Sequence, residues 1–156
     1  LRATREEITK VIATNRKASH DYEIHEKHEA GLRLVGSEVK SLRGAHVVIS
    51  DGWVEIRKGQ GWLHGVQINE YSAANRWNHA PTRPRRLLMH RHELAKLETK
   101  TQIKGYTLIP TALYFKGHLV KVELGLVTNK KQHDKRATKK EADDKREMDR
   151  AIKRAR

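Results

Sequence analysis

The side chains with most chemical scope here are ten histidines, three tryptophans and several basic clusters. His25-x-x-His28 and His90-x-His92 have the spacing of metal pairs, but metal sites usually add cysteine or a carboxylate cluster. The chain has no cysteine, which excludes disulfides, zinc fingers and thiol catalysis. The acidic residues are scattered among bases and form no obvious two-metal site. No glycine-rich phosphate loop, nucleophile elbow or His-Glu-x-x-His motif occurs. The expectation is therefore no metal, no cofactor and no enzyme, with the histidines serving as surface contacts to a binding partner.

Three basic segments suit that purpose. Asn15-Arg16-Lys17-Ala18-Ser19-His20-Asp21-Tyr22 places bases just before an expected strand. Lys130-Lys131-Gln132-His133-Asp134-Lys135-Arg136 is a second cluster. Asn75-Arg76-Trp77-Asn78-His79 is a polar loop followed by prolines and arginines, and a tryptophan there can stack on an unpaired base. Taken singly, each charge run is equally well read as a solvated face. Trp53, Tyr114 and Phe115 are expected to fill the core.

The whole-chain balance favours nucleic acid. Lysine and arginine number 33 against 19 acidic residues in 156, a net charge of +14. Such a surplus attracts polyanions at long range and opposes self-association, so a monomer is expected. No run approaches the roughly 18 apolar residues of a membrane span. Residues 1–20 lack the apolar stretch of a signal peptide. No membrane partner and a cytoplasmic location are expected. The chain begins at Leu1 rather than Met, so its natural start is expected upstream.

The elements that must position these residues are read from periodicity. Thr4 and Glu7 have capping-box spacing with Ile8, Val11 and Ile12 behind them, which predicts a short helical arm. Tyr22 and Ile24, Val54 and Ile56, and Val120, Val122 and Leu124 alternate with polar residues, the pattern of half-buried antiparallel strands. Turns are expected at Ser50-Asp51-Gly52, at Lys58-Gly59-Gln60-Gly61 and at Gly117 of a Tyr106-to-Val127 hairpin. One helix should run from Ser37, as its cap, to Gly44. A second is predicted from about Arg86 to Lys100, on a stripe through Leu87, Leu88, Leu94 and Leu97. Many short strands and few helices give an α+β, mainly β class built on a small barrel.

Three zones result: an N-terminal basic arm over 1–19, a β-barrel RNA-binding domain over 20–128 and a basic tail over 129–156. Residues 130–156 hold 12 basic and 6 acidic residues, leaving +8 of the +14 on the rest. They contain good helix formers and no proline or glycine, but their only large apolar residues are Met148 and Ile152. A helix with no packed face is marginal in water. The tail is expected to be disordered when free and helical on a polyanion.

In order and spacing, these segments resemble the SmpB family of SsrA-binding proteins of bacterial trans-translation. The resemblance rests on Asn15-Arg16-Lys17-Ala18, His20-Asp21-Tyr22, Glu29-Ala30-Gly31 and Gly36-Ser37-Glu38-Val39-Lys40-Ser41-Leu42-Arg43. It continues through Ile49-Ser50-Asp51, Asn75 to His79, Pro84-Arg85-Arg86-Leu87-Leu88 and Gly105-Tyr106-Thr107-Leu108-Ile109-Pro110. Lys121-Val122-Glu123-Leu124-Gly125, Lys130-Lys131 and Asp134-Lys135-Arg136 complete it, over about residues 13–156. Departures include Ser37 for the usual threonine, Gly44-Ala45 for Ala-Gly, and Asn129 for the glycine before the lysines. The last bears on a hinge into the tail, where asparagine still tolerates a left-handed backbone.

The resemblance implies an oligonucleotide-binding-type antiparallel β-barrel with flanking helices. It implies that the barrel grips the tRNA-like half of tmRNA while the tail enters the decoding centre and empty mRNA channel of a stalled ribosome. Elongation factor Tu, with alanyl-tmRNA, is an implied further partner. The tmRNA-facing positions fall on Arg16, Lys17, His20, Tyr22, Glu29, Leu88 and His90, joined by Asn75 and Trp77 of the polar loop. Arg16 and Lys17 would bind phosphates, and His20 or Tyr22 would stack or hydrogen-bond. Glu29 would hold a loop or accept from a base or 2′-hydroxyl, and Leu88 is either a contact or core. The ribosomal positions fall on Lys130, Lys131, His133, Asp134, Lys135 and Arg136. Wholly helical, residues 130–156 would span about 40 Å. The rival readings are a generic basic RNA-binding or ribosome-associated protein, an RNA-processing enzyme and a membrane-surface protein.

Overall fold

The computed structural model describes residues 9–72, 78–130, 145–148 and 150. In chain order its elements are β1 (Thr9–Thr14), α1 (Arg16–Asp21), β2 (Tyr22–Leu32), α2 (Gly36–Arg43), β3 (Val47–Val48) and β4 (Trp53–Arg57). They continue with β5 (Gln60–His64), β6 (Gln67–Ile68), β7 (Arg85–Leu88), α3 (Arg91–Thr101), β8 (Tyr106–Lys116) and β9 (Leu119–Asn129). Residues 145–148 and 150, in the tail, are helical and exposed.

The ring is built on the β8–β9 hairpin, where Lys116 opposes Leu119 across Gly117 and His118. Gly117 has φ +62°, a left-handed conformation that costs glycine nothing. Strand β9 also pairs along its length with β2. From β2 the antiparallel pairing passes to β7, β5, β4 and back to β8. Six strands thus close on themselves, which limits the open edges that invite aggregation. Inside lie alternate residues of β9, namely Val120, Val122, Leu124 and Leu126, with Leu63, Leu87, Leu108 and Leu113 from the other walls. Truncating such a leucine to alanine costs about 2–5 kcal/mol. Helix α3 packs on this core through Leu94 and Leu97 and touches β4, β5 and β8. An oligonucleotide-binding-type, mainly β barrel with flanking helices is thus the observed class.

Local readings are corrected in several places. Residues 9–14 are a strand, not a helical arm, and Val11 pairs with Tyr114. Strand β4 reaches β8 only at Leu108, so residues 112–116 offer a free edge that β1 fills. That tertiary pairing overrides a weak local helical signal. The second helix begins at Arg91 rather than Arg86, because residues 85–88 form the β7 stave between β2 and β5. Their burial alternates accordingly, Leu87 inward and Leu88 outward. Ser37 does not cap α2. Val35 holds the cap position and donates its N–H to Glu38 Oε1 at 3.0 Å, while Ser37 Oγ bonds His79 Nδ1 at 2.8 Å. Asn129 is paired with Tyr22 in extended strand and is not left-handed. Ala45 is, with φ +57°, so the Gly44-Ala45 reversal places an alanine where Ala-Gly would place glycine.

Candidate nucleic-acid interface

Helix α1 owes its position to a strand irregularity. Pro110 has no N–H to give to a ladder, and the β8–β9 register shifts between Pro110 and Ala112. Asn15 uses carbonyls at that point. Its Nδ2 donates to Pro110 O at 3.0 Å and its backbone N–H to Thr111 O at 2.8 Å. The short helix then lies over a small apolar cluster of Ala18, Ile109 and Val127, flanked by Tyr22 and Ile24. Burying Ala18 leaves Arg16, Lys17, Ser19 and His20 exposed on the outer surface. His20 Nδ1 pairs with Asp21 Oδ1 at 2.8 Å. Tyr22 is half-buried against the cluster, with less freedom to stack than an exposed ring.

The start of the tail docks on the same helix. Lys130 donates its backbone N–H to Asp21 O at 3.1 Å and its Nζ to Ser19 O at 2.7 Å. A cation on the last carbonyls of a helix is favourably placed. The structure therefore joins Lys130, expected with the ribosomal group, to Arg16, Lys17 and His20. Lys131, His133, Asp134, Lys135 and Arg136 lie outside the described residues, as do Asn75 and Trp77. Next to that last pair, Asn78 donates to Tyr71 O at 2.6 Å and accepts from Tyr71 N–H at 2.8 Å. Asn78 of that polar loop is thus tied to Tyr71, which precedes the loop in the chain.

A second group lies further along β2, about 23 Å from Tyr22 at 3.3 Å per residue. Glu29 is on the outside of β2 and Leu88 on the outside of β7, with Gly31 opposite Leu88. A Cβ on Gly31 would sit 3.2 Å from Leu88 Cβ, so the glycine leaves room for Leu88 to lie across the sheet. Leu88 is 53% exposed, which resolves the earlier alternative in favour of surface over core. Glu29 holds a sheet face rather than a loop: it accepts from Tyr114 Oη, and Lys116 Nζ is 3.4 Å from it. The tyrosine hydrogen bond, outweighing partial burial and aided by Lys116, holds the Glu29 carboxyl below its ordinary range. Burial and Glu29 push the Tyr114 phenol up. Tyr114 is thus not core, as expected, but an outer-face partner of Glu29. Trp53 is also corrected, being 46% exposed and stacked on His64 at 4.3 Å. Phe115 does pack against the core. His90 stands at the N-cap of α3 and stacks on His92 at 5.5 Å.

The histidines read as possible metal pairs have other contacts. His25 Nε2 bonds Thr128 Oγ1 at 2.8 Å and His28 Nε2 bonds Glu26 at 3.0 Å. Among the described residues no group of three His, Cys, Asp or Glu side chains could hold a metal ion. None of the described helices is long and apolar enough to cross a membrane.

Sequence reading missed the group that carries α2 and β7. Glu38 is wholly buried. Its Oε1 accepts from Arg83 Nε at 3.1 Å and its Oε2 from Arg85 Nε at 2.5 Å. Arg85, likewise buried, also donates to Val66 O at 2.6 Å and to Pro81 O at 2.8 Å. Beside it, buried His79 bonds Ile68 O through Nε2 at 2.8 Å. A carbonyl only accepts, so Nε2 is the donor in that bond. The available signal was a glutamate in a helix and two arginines among prolines, far apart in sequence.

The sequence model of the SmpB protein family matches residues 12–154. The chain belongs to the SmpB family. It is 50% identical over 147 residues to the SsrA-binding protein of Thermobifida fusca, covering 94% of this chain and 92% of that one. It is 49% identical over 145 residues to the SsrA-binding protein of Carboxydothermus hydrogenoformans, covering 93% of this chain and 97% of the other. A solved chain from "tmRNA-SmpB: a journey to the center of the bacterial ribosome" is similar with a TM-score of 0.65 and 43% identity. That similarity covers 77% of this chain and 85% of the solved one. The SmpB match spans both exposed groups, α1 with Lys130 and Glu29 with Leu88 and His90.

Proposed function

We propose that this chain is a tmRNA-binding protein that brings the tRNA-like half of tmRNA to stalled bacterial ribosomes for trans-translation, working in the cytoplasm without catalysis of its own. The observation that carries this is its SmpB membership across residues 12–154. A net charge of +14 supplies the electrostatic attraction. Arg16 and Lys17 on α1 bind phosphates, with His20 and Tyr22 adding polar or stacking contacts. Glu29, Leu88 and His90 form a second contact, with Glu29 accepting from a base or a 2′-hydroxyl. Asn75 and Trp77 reach RNA from the polar loop. Elongation factor Tu enters as the carrier of alanyl-tmRNA.

The tail follows from its composition. Lys130 fixes where it leaves the barrel, against α1. Lys131, His133, Asp134, Lys135 and Arg136 then meet the decoding centre. The residues beyond lie as a helix in the empty mRNA channel, whose RNA supplies the counter-charge that their bases lack in water. A chain ending at Arg136 should therefore bind tmRNA within about twofold of the full chain and fail to support tagging on stalled ribosomes. Full tagging by the shortened chain would sink this role for the tail.

A further inference from the structure

The barrel carries a basic cleft away from α1. It lies where β2 runs out beside β5 and β7, has a volume of about 370 Å³, and its lining includes Arg33, Leu34, Gln60, Trp62, Arg83 and Arg86. None of these positions belongs to the two groups assigned to RNA contact above, and Arg83 alone is shared with the buried Glu38 network. A volume of that order suits a small ligand.

The backbone brings the lining together. Trp62 of β5 is the paired neighbour of Arg86 on β7, and the Arg33 N–H donates to Arg86 O at 3.0 Å. Arg33 is exposed and Arg86 and Trp62 are half-buried. Arg83 is engaged with Glu38, which is shared with Arg85 and lies buried behind the cleft. Among the described residues no carboxylate pairs with Arg33 or Arg86. Two like charges therefore share a recess, a repulsion that an anion would relieve. Guanidinium forks match phosphate oxygens in pairs. An indole on the cleft wall offers a flat apolar face for a ring, and Gln60 adds an amide that can both donate and accept.

We propose that this cleft binds one unstacked nucleotide of single-stranded RNA, with its base on Trp62 and its flanking phosphates on Arg33 and Arg86. Duplex RNA presents phosphates and a shallow minor groove but no free base face, so it would leave the tryptophan unused. Stacking on an aromatic side chain with arginine on the backbone is the usual chemistry of single-strand sites. The proposal does not depend on which RNA supplies the nucleotide.

The test titrates the full ¹⁵N-labelled chain with an unstructured adenylate hexamer and follows the Trp62 indole N–H. That signal should move and saturate. R33Q/R86Q leaves the sheet pairing, which is made by backbone atoms, and should flatten the salt dependence of hexamer binding by about 1.4 in log–log slope. Trp62→Leu should weaken the hexamer about 5- to 150-fold with the slope unchanged. A still Trp62 signal while the hexamer binds, or an unaltered slope in R33Q/R86Q, overturns the proposal. So does inorganic phosphate moving the Trp62 signal as far as the hexamer does, since that would mark an anion site without base recognition. Binding of the tRNA-like half of tmRNA is measured on the same samples. Its loss in the unaltered chain would strike the proposed function alone, whereas an immobile Trp62 would strike the cleft alone.

Discussion

Replacing Glu38 by alanine should destabilise the fold by about 3–5 kcal/mol, a large part of the margin of a small domain. The reason is what the substitution leaves behind. Arg85 is fully buried and would keep its charge with only the carbonyls of Val66 and Pro81 as partners. Arg83 would lose its carboxylate too. At about 2–4 °C per kcal/mol for a chain of this size, the midpoint of thermal unfolding should fall by about 6–20 °C. The same carboxylate carries a pH signature. Burial alone would push the Glu38 carboxyl up, but the bonds from Arg83, the Val35 N–H and Arg85 together hold it below its ordinary range. A carboxyl with a lowered folded-state pKa stabilises fully above the ordinary carboxylate range and loses that contribution as pH falls through the lowered value. Denaturant melts from neutral to acid pH should show a decline that is shallower in Glu38→Gln. An unchanged melting midpoint in Glu38→Ala would mean that the buried network does not hold α2 to β7.

The second large effect is on binding. Neutralising Arg16 and Lys17 together, as R16A/K17A, should weaken the tRNA-like half of tmRNA by about 10- to 100-fold near physiological salt. The log–log salt slope should become shallower by about 1.4–1.8 as two phosphate contacts are lost. Both side chains are exposed and Ala18 alone buries the helix, so the melting midpoint should stay within about 2 °C. Filter binding across a salt series checks this. Full affinity in the double variant would remove α1 from the interface.

The periodic parts of this fold were legible in the sequence. Val54 and Ile56 alternate as a barrel wall must, and Gly117 marks a turn that requires a left-handed residue. Strands whose spacing fits two periods were not. Val11 and Ile12 suit a helix until β8 offers them an edge, and Leu87 falls in helical phase with Leu94 though it belongs to a strand. Trp53 shares the outward phase of Glu55 and Arg57 and faces His64, so assigning it to the core followed its size and not its alternation. For the site, the chemistry of Arg16, Lys17 and Glu29 was readable from residue type and family likeness. Their grouping was not, because Lys130 reaches Ser19 across 111 positions and Glu38 reaches Arg85 across 47. Pairs so distant leave no local pattern.

The most direct test of the central claim compares the tRNA-like half of tmRNA with an ordinary tRNA of similar size, each titrated with the full chain across a salt series. Charge alone would bind both and release both as salt rises. The proposed function predicts a preference for the tmRNA half that persists at near-physiological salt. Equal and equally salt-sensitive binding would contradict it and reduce the chain to a general basic RNA binder.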